Sequence, residues 1–337
     1  QWYQAFRDNG IAANSPSEMS AWITARRSSY LQSLAPMTNL AFKVSTPNIT
    51  TTTTPITVTG EAPIAVTAIE VNGLPHAVKW IGETVWQIRI ALDPGSNALA
   101  FRALDEQGAV VGNATLTVTY TGSPVSLEGK LLISEIMYHP AAPASSFVEI
   151  LNLSPTETLP LGGLRVDGID ATIGHGRFIA PGGYAVVAGS LPGYQSSYGN
   201  AEAVVAEFNG ALDNGGETLS LQWTEGTNTT VLDQVTYGDD PPWPAAADGA
   251  GASLQLIHVF RDNDRIGNWT AIEPGSTLPL ATPGQTNNVT APLPEFPFLW
   301  INEVMPSNTS ALADNAGEFD PWIELFNAGS NATDLTG

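Results

Sequence analysis

The feature that most constrains this chain is a train of short segments of alternating apolar and polar residues between about Leu131 and Asn288. Gly, Pro and Asn separate the segments, and we find no helix-length pattern among them. Short strands with regularly spaced turn residues are typical of antiparallel β-sandwiches and barrels. The sequence therefore predicts a mainly β fold.

Composition excludes several functional classes. The 337 residues allow two or three domains with apolar cores of their own. Asp and Glu number 33 against 12 Lys and Arg, which gives a net charge of −21. Such a surface repels phosphate backbones and anionic lipid, so we expect neither a nucleic acid partner nor membrane insertion. The chain has no Cys, which excludes disulfides, thiolate nucleophiles and Cys-ligated zinc.

One short N-terminal helix is predicted over Ser15–Leu34. Ser15 is a good N-cap, Pro16 suits the first helical position, and Glu18 completes a capping box. The apolar residues at helical spacing are Met19, Trp22, Ile23, Tyr30 and Leu34. Pro36 is expected to end the helix. A single amphipathic helix of this length needs a body to pack on.

The run SEMSAWITARRSSYLQSLAP resembles the end of a bacterial CotH-like domain, a kinase of the spore-coat type. The resemblance implies that residues 1–37 are the helical remnant of an upstream domain. The nucleotide and metal residues of such a kinase would then precede Gln1, so none is assigned here. The alternative is a helix that packs on the next domain.

Residues 38–122 are predicted to form a first β-sandwich. The alternation of apolar and polar residues is almost pure in TLTVTY, and Asn72-Gly73 is a strong hairpin signal. Trp80 and Trp86 are interpreted as core or sheet-face aromatics. The pattern from VTGEAPIAVTAIEVNG to WIGETVWQIRIALDPGSNALAFRALDEQG resembles the immunoglobulin-like modules of bacterial surface proteins. That resemblance implies a spacer role.

Residues 127–290 carry a more specific resemblance. A set of motifs occurs here in the order found in the lamin tail domain: ISEIMYHP, FVEILNLS, LPLGGLRV, IAPGGYAVVAG, FNGALDNGGETLSL, DQVTYGDDPPWP, GASLQLI, GNWTA and TPGQTN. The likeness covers residues 131–288. It implies an immunoglobulin-like β-sandwich of a kind widespread in exported bacterial proteins, and hence tandem sandwiches in this chain.

The chain then repeats itself after a Pro-rich linker at residues 291–297. LWINEVMPSN echoes LLISEIMYHP, and DPWIELFNAGSNATDLTG echoes SFVEILNLSPTETLPLGG. Residues 298–337 are therefore interpreted as the incomplete start of a second lamin tail domain. Two strands cannot make a sandwich, so we expect them to pair with another sheet edge. The predicted interface residues are Trp300, Ile301, Val304, Trp322, Ile323 and Leu325.

No cofactor is expected, except that two pairs of carboxylates are candidate calcium ligands. Glu135 and Glu149 lie on consecutive predicted strands, where paired carboxylates can share a proton or bind a hard cation. The alternative is that each accepts hydrogen bonds from nearby backbone or loop N–H groups. Asp262 and Asp264 stand at alternate positions but lack the closing Glu of a calcium loop, which favours an Asx turn.

No motif predicts catalysis. The four histidines are scattered, and the sequence has no HExxH, no Gly-x-Ser-x-Gly and no phosphate-binding glycine loop. We therefore expect a non-catalytic extracellular or cell-surface segment of a bacterial multidomain protein. It would act as a spacer and as a module that binds protein or glycan, with a cell-surface or matrix component or another copy as partner. Two alternatives stay open: a filament subunit linked by strand complementation, and an accessory region of an extracellular CotH-like kinase.

Overall fold

The computed structural model describes residues 2–11, 14–225, 227–289 and 299–335. Strands dominate the described chain, which confirms the predicted mainly β fold. The chain divides into two compact units, residues 1–291 and 292–337. The predicted linker at residues 291–297 lies outside the described residues.

The N-terminal part contains two helices rather than the single one predicted, α1 (Trp2–Asp8) and α2 (Pro16–Thr38). The predicted capping box is present: Glu18 N–H donates to Ser15 Oγ at 3.1 Å, and Ser15 N–H donates to the Glu18 carboxylate at 2.6 Å. No described helix is both long and apolar enough to cross a bilayer.

The predicted end of α2 at Pro36 is wrong, because the helix continues to Thr38. Proline has no N–H to donate to the carbonyl four residues earlier, so α2 lacks one hydrogen bond at Pro36 and still continues for two residues. The last turn is still closed by the Asn39 N–H, which donates to the Ala35 carbonyl at 3.1 Å. The residues predicted to form the apolar face of α2 are all exposed: Met19, Trp22, Ile23, Tyr30 and Leu34.

The first sandwich, residues 43–120, has nine strands. They are β1 (Lys43–Val44), β2 (Ile49–Thr51), β3 (Ile56–Glu61), β4 (Ala68–Val71), β5 (Leu74–His76), β6 (Val78–Trp80), β7 (Val85–Ile90), β8 (Gly95–Leu104) and β9 (Val110–Tyr120). One sheet has the order β1-β3-β7-β6 and the other β2-β9-β8-β4-β5.

The core of the first sandwich follows the two-residue alternation of its strands. Along β9, Leu116 and Val118 are buried, while the neighbouring Thr115 and Thr117 are exposed. Trp86 of one sheet is fully buried and lies 5.8 Å from the ring of Phe101 in the other. Burial of such an aromatic side chain stabilises the fold by roughly 1.5–3 kcal/mol. Trp80, by contrast, is partly exposed on the sheet face.

The second sandwich, residues 131–270, has twelve strands. They are β10 (Leu131–Met137), β11 (Phe147–Asn152), β12 (Leu159–Pro160), β13 (Arg165–Asp167), β14 (Ala171–Thr172), β15 (Phe178–Ile179), β16 (Tyr184–Ala188), β17 (Val204–Glu207), β18 (Thr218–Glu225), β19 (Asn228–Thr236), β20 (Leu254–Leu256) and β21 (Trp269–Thr270). A six-stranded sheet, β17-β16-β11-β10-β20-β21, packs on the four-stranded sheet β14-β13-β18-β19. Strands β12 and β15 form a separate pair.

A short helix, α3 (Leu191–Tyr198), interrupts the second sandwich, where we predicted no helix. Ser190 caps it by accepting a hydrogen bond from Gly193 N–H at 3.2 Å, and Gly199 ends it at φ 81°. A helix of eight residues is too short for its periodicity to stand out from the surrounding strands.

The six-stranded sheet is buried on both faces. Its inner face packs on the other sheet through residues such as Ile133 and Val148. Its outer face carries Met137 and Phe147, which pack with Tyr194 of α3. Strands β10 and β11 are consequently buried along their whole length.

The second unit contains a single described strand pair, β22 (Leu299–Met305) and β23 (Trp322–Asn327), which we call the C-terminal hairpin. Glu303 pairs with Glu324 as Glu135 pairs with Glu149, and a bulge precedes the first glutamate in both pairs. The predicted interface residues lie on these strands, and all are exposed except the half-buried Trp322.

Candidate functional site

Glu135 and Glu149 are direct cross-strand neighbours on β10 and β11, at the centre of the six-stranded sheet. They share the outer face with Met137 and Phe147, because alternate residues of a strand point to the same side. Neither glutamate has solvent-accessible surface. The structure thus brings together the first predicted pair of carboxylates.

The outer face at these glutamates is covered by residues 280–288, which we call the closing segment. Thr282 donates to Glu135 twice, from N–H to Oε1 at 2.8 Å and from its hydroxyl to Oε2 at 3.1 Å. Ser253 Oγ donates to Glu135 Oε1 at 2.5 Å. Gly284 N–H donates to Glu149 Oε2 at 2.6 Å. The two carboxylates therefore hold the closing segment onto the sheet.

The bulge in β10 provides a further donor. Ser134 is the extra residue of the bulge, and its hydroxyl donates to Glu149 Oε1 at 2.7 Å. Its carbonyl accepts a hydrogen bond from Asn287 Nδ2 of the closing segment at 2.8 Å. The same amide donates to the Leu256 carbonyl at 3.0 Å. A local irregularity of the strand thus links Glu149 to the closing segment.

The electrostatic environment of Glu135 and Glu149 raises their pKa values and so favours retention of a proton by the pair. Burial raises the pKa of Glu135 to about 7, against the lowering effect of its hydrogen bonds. Burial and then the charge of Glu135 raise the pKa of Glu149 well above its ordinary value. Because neither carboxylate meets solvent, no substrate reaches them in this conformation. The arrangement suits hydrogen bonding rather than proton transfer to a ligand.

Asp262 and Asp264 take part in loop geometry. Asp262 Oδ1 accepts from Asp264 N–H at 3.0 Å, which is an Asx turn, and Asp264 Oδ1 accepts from Thr236 N–H at 2.7 Å. Calcium binding at these aspartates and at the two glutamates stays a prediction.

A second carboxylate network, built on the half-buried Asp233, was missed by the sequence analysis. Asp233 of β19 accepts hydrogen bonds from Ile133 N–H at 2.7 Å and from Asn263 Nδ2 at 2.8 Å. Asn263 in turn accepts from the Trp269 indole N–H at 2.6 Å. Burial raises the pKa of Asp233 to about 6. Asp233 stands two residues before the buried Val235 on β19, so the two-residue alternation of a strand would have predicted that both side chains face inward.

The sequence analysis also missed an acidic group on the C-terminal unit. Asp314, Glu318 and Asp320 are exposed, and ligand atoms of all three lie within 4.8 Å of one another. They are the single group of three or more potential metal-ligating residues in the described chain. Asp314 Oδ1 already accepts from the N–H groups of Ala316 and Glu318, at 2.8 and 2.9 Å. These hydrogen bonds explain the conformation of the turn without a bound ion.

A cavity of about 480 Å³ lies between the two sandwiches. Contrary to our description of the histidines as scattered, His76 of the first sandwich and His175 of the second meet here, with ring centroids 5.5 Å apart. Ala77 N–H donates to the His175 carbonyl at 2.9 Å. The Arg89 guanidinium lies 4.6 Å from the centroid of the Phe178 ring. These contacts dock one sandwich on the other.

The docking contact favours the neutral form of His76, because it lowers the pKa of the imidazole. Burial is the main cause that lowers the pKa of its imidazole, and the charge of His175 lowers it further. A contact between His76 Nδ1 and the Leu74 carbonyl at 2.9 Å acts in the opposite direction. A neutral His76 ring can stack on the His175 ring without placing a further positive charge beside it.

Comparison with known families supports one part of the sequence interpretation. Residues 124–239 match the family model of the Lamin Tail Domain. The match spans β10 to β19 and ends before the closing segment. The resemblance of residues 240–288 to this domain therefore stays a prediction. No curated protein sequence matches the chain.

Several solved structures show weak similarity. Fibronectin(III)-like modules of CbhA from Clostridium thermocellum are 11% identical, cover 25% of this chain and 99% of theirs, and give a TM-score of 0.21. The D00-D0 domain of intimin is 10% identical over 59% of this chain and 99% of its own, with a TM-score of 0.18. A third structure is SGBP-B of the Bacteroides ovatus mixed-linkage glucan utilization locus, solved in complex with a mixed-linkage heptasaccharide. It is 13% identical over 58% of this chain and 46% of its own, with a TM-score of 0.18. Similarity at this level gives no basis for assigning the functions of these proteins to this chain.

Proposed function

We propose that residues 43–289 are a non-catalytic structural and binding segment of an extracellular bacterial surface or secreted protein. The carrying observation is that Glu135 and Glu149, the carboxylate pair at the centre of the second sandwich, are buried and bonded to the closing segment. A catalytic pair must reach a substrate, whereas this pair reaches only its own chain. The role of the two glutamates is to hold the closing segment on the second sandwich.

The docking contact supports the spacer part of this proposal. The hydrogen bond from Ala77 to His175 and the cation–π contact from Arg89 to Phe178 fix one sandwich against the other. Two docked sandwiches extend further than one and resist bending at their junction, which suits a module that holds other domains away from a surface. The partner would be a cell-wall or matrix glycan, or a second copy of the chain.

Co-sedimentation tests the binding part of the proposal. The full chain is incubated with purified insoluble bacterial cell wall, and the bound fraction is measured across protein concentrations. Analytical ultracentrifugation of the same preparation measures self-association. We expect saturable binding to the wall or a concentration-dependent dimer. Absence of both at the highest soluble concentration contradicts the proposed function.

A filament subunit is a second candidate function, and the C-terminal hairpin favours it. The pair β22–β23 repeats the register of β10–β11, yet its apolar residues Ile301, Val304 and Ile323 are exposed where their counterparts are buried. Exposed apolar strand residues favour pairing with another sheet. Polymers seen by electron microscopy and abolished by Ile301→Asp support this function. Monomers alone at high concentration contradict it.

A further inference from the structure

Basic side chains collect at one place on a chain that has few of them. The cavity between the sandwiches is lined by Arg89, Arg177, His76 and His175, which are two of the chain's 12 Lys and Arg residues and two of its four histidines. The rest of the surface is dominated by carboxylates. Asp93 and Glu128 also line the cavity, so its two guanidinium groups are matched by two carboxylates, while the chain as a whole carries a charge of −21. An anion is therefore repelled less in this cavity than at the surrounding surface.

The two guanidinium groups are available to a ligand. Within residues 2–11, 14–225, 227–289 and 299–335, neither Arg89 nor Arg177 forms an ion pair, whereas Arg102 and Arg165 each pair with carboxylates. Arg89 lies over a phenyl ring, which leaves its N–H edge free of a carboxylate. A guanidinium presents parallel N–H groups that match the two oxygens of a carboxylate.

The cavity also offers apolar and hydrogen-bonding surface. Trp223 and Phe178 are half-buried and line it, and an indole face packs well against the C–H face of a ring. Asp93 and Glu128 are exposed and line it as well, and their carboxylates accept hydrogen bonds from hydroxyl groups. These groups together suit a ligand with a carboxylate, a saturated ring and several hydroxyls.

The walls of the cavity are fixed relative to each other. His76 and Ala77 of the first sandwich contact His175 of the second through stacked rings and a backbone hydrogen bond of 2.9 Å. A cavity of about 480 Å³ lies within the range of roughly 300–1,000 Å³ that is usual for small-molecule sites. A site formed in advance loses less entropy when it binds a ligand.

We propose that this cavity binds an acidic sugar, a mono- or disaccharide that carries a carboxylate. Arg177 and Arg89 hold the carboxylate, Trp223 packs on the pyranose ring, and Asp93 and Glu128 accept from the hydroxyls. The proposal rests on the proposed binding function and adds to it a site and a ligand class. The site needs both sandwiches, because Arg89 and Arg177 come from different ones.

Isothermal titration calorimetry of the full chain tests the site. The probes are digalacturonate, neutral galactobiose and acetate, which separate the requirement for the carboxylate from that for the ring. The variants are Arg177→Gln, whose exposed side chain tolerates the change, and Trp223→Ala. The control is Arg102→Gln, which removes a guanidinium of the first sandwich outside the cavity.

We expect digalacturonate to bind and both neutral galactobiose and acetate to bind about tenfold more weakly or not at all. Arg177→Gln should weaken digalacturonate binding about tenfold, and Arg102→Gln should leave it unchanged. Equal binding of the neutral sugar, or digalacturonate binding that survives both cavity variants, overturns the proposal. Cell-wall binding by the same variants without any response to digalacturonate overturns this site while leaving the proposed function intact.

Discussion

Glu135 and Glu149 face each other on β10 and β11 without contact with solvent, so their protonation is coupled to folding. Their pKa values are raised above the ordinary 4.5, to about 7 for Glu135. Between pH 4.5 and about pH 7, the folded chain therefore binds more protons than the unfolded chain. The stability that these groups contribute is highest below pH 4.5 and decreases as the pH rises through 7.

The Glu149→Gln variant is predicted to lose much of this pH dependence. Glutamine keeps the shape of a protonated carboxyl and cannot ionise. Relative to wild type, its free energy of unfolding should rise between pH 5 and pH 8, because the raised pKa of Glu149 makes wild type lose stability over this range. Urea unfolding at both pH values measures the difference. Glu83→Gln, an exposed control, should follow wild type, and a pH slope in Glu149→Gln equal to that of wild type contradicts the prediction.

Glu149→Ala separates hydrogen bonding from charge. It leaves the donors of Gly284 and Ser134 without their acceptor beneath the closing segment. An unsatisfied buried donor costs about 1–3 kcal/mol, so we expect this variant to be about 2–4 kcal/mol less stable than Glu149→Gln at pH 5. Thermal unfolding gives the comparison. Equal stability of the two variants would show that the closing segment does not depend on this carboxylate.

At the scale of elements, the loop that follows β14 docks the second sandwich on β5 and β6. Gly176 lies in this loop at φ +79°, and a Cβ there would come within 3.0 Å of Ala77 N. Gly176→Ala is predicted to weaken docking, since the left-handed conformation alone costs about 1–2 kcal/mol. Gly174→Ala, with open space around its Cβ, is the matched control.

Hydrogen exchange at the Ala77 amide reports the docking contact, because this N–H donates to His175. Faster exchange at Ala77 is expected in Gly176→Ala, with the Val58 amide in the core of the first sandwich unchanged. Gly174→Ala should match wild type at both amides. Unchanged protection of Ala77 in Gly176→Ala would show that the glycine does not set the contact.

Acid is predicted to loosen the same contact. The lowered pKa of His76 means that the docked chain binds fewer protons than the undocked one, so docking is favoured above pH 6.5 and weakens as the pH falls below it. Protonated His76 would face His175, Arg89 and Arg177, while Asp93 and Glu128 of the same cavity offset part of this repulsion.

The His76→Phe variant tests that effect. It keeps a flat ring against His175 but carries no titrating proton. In wild type the protection of the Ala77 amide, corrected for intrinsic exchange, should fall between pH 8 and pH 5, while in the variant it should change much less. Equal pH dependence in both proteins contradicts a role for the His76 imidazole.

Local patterns predict what depends on local chemistry. The alternation in β9 indicated which residues face inward, and the capping box located the start of α2. The repeated context of Glu135 and Glu149 indicated that the two glutamates belong together. None of these patterns required knowledge of how distant segments meet.

The rest depends on contacts that a linear pattern does not contain. The closing segment reaches Glu135 across 147 residues of sequence, and His76 meets His175 only because two sandwiches dock. Short or irregular elements also escaped prediction: α1 and α3 span too few residues to show a period, and Pro36 is accommodated in the last turn of α2. Long-range contacts, rather than strand propensity, thus set both candidate sites.

For the whole molecule, the central proposal is that residues 43–289 bind and support without catalysing. The most direct measurement incubates wild type and the Glu135→Gln/Glu149→Gln variant with purified bacterial cell wall and records, in the same tubes, bound protein and soluble fragments released from the wall. We predict equal bound fractions for the two proteins and no release above the protein-free blank. Release by wild type that disappears in a folded variant would contradict the account.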